Sequence, residues 1–250
     1  MIEINGSEHN VGLTKYREKI FSQYLEDGMI REALESINSI NQGFFVDVGS
    51  WDGVYLSNCH RLSVDFNFSG ICIEANTERH LESIKNNLKY NVTCINSMIS
   101  LEENSNLDKI LENNNCPKNF ELLSIDIDGI DWWVWYSLRH FSPKIVIMEY
   151  NGNHKNCSII EYDKSYIHLN NINYYGATPP ALKLLADYKG YELVGMNSLN
   201  MIFIKKELNT LPILNLDELI WYFPWANNTE KKMIEIDYTF FEKIKKTYEQ

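Results

Sequence analysis

Cysteine is scarce in this 250-residue chain. The five residues Cys59, Cys72, Cys94, Cys116 and Cys157 are odd in number, far apart and without a Cys-x-x-Cys pair. Their spacing argues against a disulfide framework and a zinc knot, and suits core packing in a reducing compartment. Long apolar runs are also missing. No stretch approaches 18 residues, and Met1 to Gly6 shows no basic start leading into an apolar run. No spanning helix or leader is therefore expected, and the location reads as cytoplasmic. Positive charge is in short supply, with 23 Lys and Arg against 34 Asp and Glu, a formal charge of −11. Such a surface repels polyanions, so no nucleic-acid partner is expected. There is no internal repeat, and the Asn-rich stretches around 104–119 and 151–173 read as loops.

The composition, 44% hydrophobic and 13% aromatic, is that of a globular chain with a full-sized core. From about 43 to 206, short apolar runs alternate with helical-period segments, the pattern of a three-layer α/β domain with a mostly parallel sheet. Strands are expected at Gly43 to Val48, Gly70 to Glu74, Val92 to Asn96, Leu122 to Asp126 and Lys144 to Glu149. Tyr191 to Gly195 and Met201 to Lys205 read as a terminal antiparallel hairpin. A helix from Thr77, its cap, to Leu88 carries Leu81, Ile84 and Leu88 as a stripe to be buried. The clearest helix runs from Thr178 through Pro179 and Pro180 to the glycine stop at Gly190. Residues 1–42 read as an N-terminal helical cap with a stripe of Ile30, Ala33, Leu34 and Ile37. Residues 207–250 read as an extension whose aromatics, Trp221, Tyr222, Phe223 and Trp225, pack on the core or at a homodimer interface. The run Trp132 to Tyr136 starts a helix and reads mainly as core.

The most informative segment is Phe45-Val46-Asp47-Val48-Gly49-Ser50-Trp51-Asp52-Gly53, a strand entering a glycine turn. Gly49 lets backbone approach a ligand, and Gly53 is expected to let a following helix start pack against the strand. Trp51 stands where the dinucleotide fingerprint G-x-G-x-x-G needs its second glycine, which speaks against a nicotinamide dinucleotide oxidoreductase. The second strand ends at Glu74, 74 − 47 = 27 residues after Asp47, near the offset at which an acid meets ribose hydroxyls. A ligand with an adenosine and a cation but no phosphate suits these features, and S-adenosylmethionine is one.

Five ordered pieces then carry a resemblance. They are Ser22 to Gly28, Asp47 to Gly53, Ile73 to Asn76, Ile95 to Ser100 and Ser124 to Gly129. With them the chain resembles class I S-adenosylmethionine-dependent methyltransferases, in particular the FkbM-like branch, over roughly residues 20–206. The resemblance implies a Rossmann-like fold with a seven-stranded sheet ending in the hairpin. It implies that Asp47 and Gly49, with Ser50 and Asp52 of the same turn, line the methionine end of the cofactor. Glu74, with Ala75 beside it, would hold the ribose, Ser97 and Met98 would border adenine, and Asp126 would face the sulfonium. Gln23 and Asp27 look like the family's cap over the cofactor. The acceptor it implies is a small or sugar-linked molecule methylated on oxygen, such as a capsule or envelope polysaccharide precursor or its phosphate or phosphoramidate substituent.

Asp126, Asp128 and Asp131 follow the fourth strand, while Glu149, Asn151 and His154 follow the fifth, so both sets should meet at one edge of a crevice. Methyl transfer needs alignment and a place for the acceptor's proton. Asp128, Glu149 or His154 could supply that place. Alternatively Asp126, Asp128, Glu149 and Asn151 form a hard-oxygen set for Mg or Mn, or these acids serve only to bind the sulfonium, cap the next helix or bind substrate hydroxyls. The long loop from about 151 to 177, with His154, Tyr162, Tyr166, His168, Tyr174 and Tyr175, reads as a substrate lid in which Asn151, Tyr174 and Tyr175 contact the acceptor. A methyltransferase-like binding protein that has lost activity is the reading from another class.

Overall fold

A computed structural model describes residues 2–3, 12–166, 173–222 and 232–248. Its centre is a seven-stranded sheet: β1 (Phe44–Val48), β2 (Ser69–Glu74), β3 (Val92–Asn96), β4 (Leu122–Ile125), β5 (Ile145–Glu149), β6 (Tyr191–Met196) and β7 (Asn200–Lys205). The spatial order is 3-2-1-4-5-7-6. Strands 3-2-1-4-5 are mutually parallel, and β7 runs antiparallel to both β5 and β6. This is the Rossmann-like α/β arrangement expected from the alternation, and the hairpin falls at its edge.

Continuous apolarity in the central strands follows from coverage on both faces. Val46 and Val48 point into one core with Ile71, Ile73, Leu123 and Ile125, while Phe45 points into the other with Cys72 and Leu122. Around these strands lie α1 (Glu26–Ser36), α2 (His60–Phe66), α3 (Thr77–Asn87), α4 (Leu107–Asn113), α5 (Asp131–Ser137), α6 (Pro179–Lys189) and α7 (Tyr238–Tyr248). The first core takes residues from α4, α5, α6 and α7, and the second from α1 and α2. Trp132 and Trp135 of α5 are fully buried, and the Trp132 indole donates to the Ala181 carbonyl of α6 at 3.1 Å. Gly190 ends α6 in the left-handed region at φ 81°.

Two short ladders tie in the outer segments. Ile2–Glu3 pairs parallel with Leu219–Ile220, and Ile234–Glu235 pairs antiparallel with Ser158–Ile159. Phe241 of α7 stacks on Tyr188 with centroids 4.2 Å apart. Trp221 packs against the first core, and Lys155 lies over the Tyr222 ring. Phe223, Trp225 and His168 fall outside the described residues.

Local departures from the sequence reading have clear causes. The cap of α3 is Asn76, not Thr77, because the Asn76 side chain reaches the Glu78 and Arg79 N–H groups. The stripe of α3 faces outward instead of inward: Leu81, Ile84 and Leu88 are 51%, 39% and 77% exposed. Its buried side is small and polar, with Ser83 and Asn87 against Gly53 and Cys94, so the helix sits close to the sheet edge with no apolar layer between. Gly53 therefore serves contact with α3, and the first helix after the turn begins only at His60.

The carboxyl ends of β1 and β4 come closest at Gly49. Its φ is +85°, and a Cβ built there would lie 1.7 Å from the Asp126 carbonyl oxygen. Gly49→Ala should lower the free energy of unfolding by about 2 kcal/mol or more, since both backbone conformation and space forbid the methyl. An unchanged urea midpoint would contradict the close approach.

Candidate active site

Strand order reverses between β1 and β4, and in an open α/β sheet the ligand crevice opens at the carboxyl ends of the strands flanking such a point. A cleft of about 410 Å³ lies there, inside the range of small-molecule sites. Its floor is the turn after β1. The Gly49 and Ser50 N–H groups both donate to the Ile73 carbonyl, at 2.9 and 3.2 Å, and the Asp126 N–H donates to the Val48 carbonyl at 2.9 Å. Three strand ends are thereby locked together. The Ser50 hydroxyl lines this floor, is buried, and has no hydrogen-bond partner among the described residues. A buried polar group left unpaired costs about 1–3 kcal/mol, so its presence at a cleft wall points to a ligand.

Glu74 closes the β2 side. Its Oε2 accepts the Trp51 N–H at 2.9 Å and its Oε1 accepts the Asn76 N–H at 2.7 Å, which fixes the carboxylate plane and leaves a lone pair on each oxygen for a ligand hydroxyl. Ala75, Ser97 and Met98 continue the wall, with the Ser97 N–H donating to the Glu74 carbonyl at 3.1 Å. Gln23 lines the mouth from the N-terminal segment. Asp47 lies beneath the turn, accepting the Ser57 hydroxyl at 3.2 Å, and burial pushes its carboxyl up to about 6 against the opposing hydroxyls of Ser57 and Ser124.

The β4 and β5 ends supply the acids. Oxygens of Asp126, Asp128 and Glu149 all lie within 4.8 Å of one another. Burial, then the charges of Asp128 and Asp131, push Asp126 up to about 8. Burial, then Asp126 and Asp128, raise Glu149 well above the carboxylate range. Crowded together among these acids, the Asp126 and Glu149 carboxyls retain a proton near neutral pH. Asp131 is structural: it accepts the Ile127 and Gly129 N–H groups, each at 2.8 Å, and thereby braces the turn that holds Asp128 at φ 53°. Asp126 and exposed Asp128 line the cleft, while half-buried Glu149 is outside the lining.

Other expected site residues stand apart from the cleft. Asn151 is fully buried; its Nδ2 donates to the Asn173 and Tyr175 carbonyls and its Oδ1 accepts from Asn153, so it organises the loop rather than joining the acids. The His154 ring shares a 2.8 Å hydrogen bond with the Asn173 carbonyl. Tyr174 is buried in the first core, with the Glu161 N–H donating to its hydroxyl. Tyr175 is buried outside the cleft lining but close enough to the acids that burial, then the charges of Glu149, Asp128 and Asp126, raise its phenol. Asp27 accepts the N–H groups of Ile20, Phe21 and Ser22 and the Ser22 hydroxyl through Oδ2, closing the N-terminal segment. Asp52 caps Val54 and Tyr55. From the loop, Asp163, Lys164 and Tyr166 do reach the cleft. The Tyr166 ring lies over Gly129 and its hydroxyl donates to the Tyr174 carbonyl, while Lys164 pairs with Glu102.

The sequence reading missed Ser57, Asn58 and Ser124. Ser124 carried a signal: it is two residues before Asp126, hence on the same strand face, and it sits in register opposite Asp47. Ser57 and Asn58 lie in irregular chain after the turn and had none.

No protein-family profile matches the chain, and no curated protein does either. Among solved structures it is similar to a SAM dependent methyltransferase from Aquifex aeolicus, with 13% identity over 72% of this chain and 89% of that one at a TM-score of 0.42. It is also similar to precorrin-6y C5,15-methyltransferase from Geobacter metallireducens GS-15, with 11% identity, 80% and 100% coverage and a TM-score of 0.43. A third is an S-adenosylmethionine-dependent methyltransferase from Clostridium acetobutylicum ATCC 824, with 10% identity, 70% and 89% coverage and a TM-score of 0.41. Likeness of this degree carries no argument about chemistry, which rests on the cleft itself.

A carboxylic acid whose pKa is raised on folding binds more protons in the native than in the unfolded state between the two values. The penalty at Asp126 is thus absent near pH 4 and grows until about pH 8. Asp126→Asn should therefore gain on the parent protein as pH rises, reaching about 1 kcal/mol or more at pH 8. Urea unfolding of both across that range checks it; a constant or reversed gap would show that the carboxyl is not perturbed.

Proposed function

We propose that the chain is an S-adenosylmethionine-dependent methyltransferase acting on oxygen of a small or sugar-linked acceptor. The observation that carries this reading is the pairing, across one cleft, of the Gly49 and Ser50 floor with the oriented Glu74 carboxylate. Glu74 would take the ribose hydroxyls, Ala75, Ser97 and Met98 would border the base, and the unpaired Ser50 hydroxyl with Asp47 and Gly49 would take the amino-acid end. When bound, S-adenosylmethionine supplies a methyl group on positively charged sulfur.

The rest falls to the chain's own groups. Among the described residues the lining carries Asp47, Glu74, Asp128 and Asp163 against one lysine, Lys164, a field that favours a cationic cofactor. The Asp126 and Glu149 pair, which exchanges a proton near neutrality, is matched to receive one from an acceptor hydroxyl, with Asp128 at the surface to orient it. Tyr166 covers Gly129 and limits water on that side.

The nicotinamide alternative meets two obstacles. The Trp51 N–H is already given to Glu74, and the first helix after β1 begins at His60, so no helix N-terminus opens from the turn to hold a diphosphate. Glu74→Gln should weaken S-adenosylhomocysteine binding by about tenfold or more, read by calorimetry. An unchanged affinity would remove the ribose assignment. Methyl transfer from isotope-labelled S-adenosylmethionine onto a sugar acceptor panel tests the activity, and binding without turnover on any acceptor favours the inactive, cofactor-binding reading.

A second reading concerns a divalent cation. Three carboxylates whose oxygens converge within 4.8 Å form a hard donor set that fits Mg or Mn, with Asn151 excluded by its own hydrogen bonds. There the cation would supply Lewis-acid stabilisation of an acceptor oxygen. Chelation followed by Mg or Mn add-back should abolish and restore turnover in that case; full activity after chelation leaves the Asp126 and Glu149 pair as the base.

A further inference from the structure

The outward face of α3 adjoins the edge of the sheet. β3 is the terminal strand, and no strand among the described residues pairs with its outer side. Natural edges are usually guarded by charge, proline or a bulge, yet Val92-Thr93-Cys94-Ile95-Asn96 has no charge and no proline, and its pairing with β2 is regular. Beside it, Leu81, Ile84 and Leu88 form a stripe along α3 that joins neither core. Both features lie at one place, because α3 packs against β3 through Ser83 and Cys94.

Charge says what covers this surface. The whole chain carries −11, which sets copies of it against one another. Residues 77–89 differ: Glu78 and Glu82 lie in the first half, Lys85 and Lys89 in the second, and Arg79 is paired with Glu82 at 2.7 Å. The segment is thus close to neutral and opposite in sign at its two ends. An antiparallel partner of the same sequence would set the acidic end of each helix against the basic end of the other, and Leu81 against Leu88 with Ile84 near the axis.

We propose that the chain forms a two-fold homodimer in which the β3 edges pair antiparallel and the α3 helices pack through Leu81, Ile84 and Leu88. A two-fold axis normal to the sheet places both helices on the same face, so one operation satisfies strand and helix together. Such an interface is isologous, as closed dimers require.

Sedimentation equilibrium of the full chain tests it with two charge-reversed forms, Lys85→Glu with Lys89→Glu, and Glu78→Lys with Glu82→Lys. The unmodified chain should be dimeric at micromolar concentration, each form alone should dimerise at least about tenfold more weakly, and their mixture should recover a heterodimer. Ile84→Asp, at an exposed position, should give a folded monomer by circular dichroism and sedimentation. A monomeric unmodified chain overturns the proposal, as does a dimer that persists in Ile84→Asp. Failure of the charge-reversed forms to associate on mixing overturns the antiparallel arrangement.

Discussion

The contact between Gly49 and the Asp126 carbonyl oxygen sets the geometry on which the site depends. With no side chain at 49, the ends of β1 and β4 close to a distance that any Cβ would forbid. The Gly49 and Ser50 N–H groups then turn to Ile73 and the Asp126 N–H to Val48, so three strands end at fixed positions around one cleft. Glu74, Asp47 and Asp126 are each placed by this arrangement. Their separate tasks follow from differences in environment: Glu74 is held by two backbone donors, Asp47 is buried under hydroxyls, and Asp126 is crowded by other acids.

Concentrating acids at the β4 and β5 ends costs stability when they ionise. Asp131 meets part of that cost with backbone N–H groups, whereas Asp126 and Glu149, pushed up by burial and by the neighbouring acids, stay protonated to higher pH. Arrangements of this kind are common where a proton or a cation must be taken up during a reaction. The same feature underlies both proposed uses of the cluster.

Much of this was legible in the sequence because it depends on short-range patterns. Strand positions followed from apolar runs bounded by turns, and Gly49 and Glu74 from their places at strand ends. Three kinds of feature were not. The loop after β5 holds Asn151, His154, Tyr174 and Tyr175 by contacts between residues about 20 apart, and such contacts leave no periodic trace. The backbone-capping roles of buried Asp27 and half-buried Asp52 depend on donors in irregular chain. The stripe of α3 was visible, but periodicity gives a face without its direction, and Ser83 and Asn87 took the inner side because Gly53 and Cys94 leave little depth there.

The most direct test of the account is a crystal structure of the full chain grown with S-adenosylhomocysteine. The account requires ribose hydroxyls on the Glu74 carboxylate and the amino-acid end over Gly49 and Ser50. An empty cleft under saturating ligand, or a ligand seated with Glu74 out of contact, would contradict it.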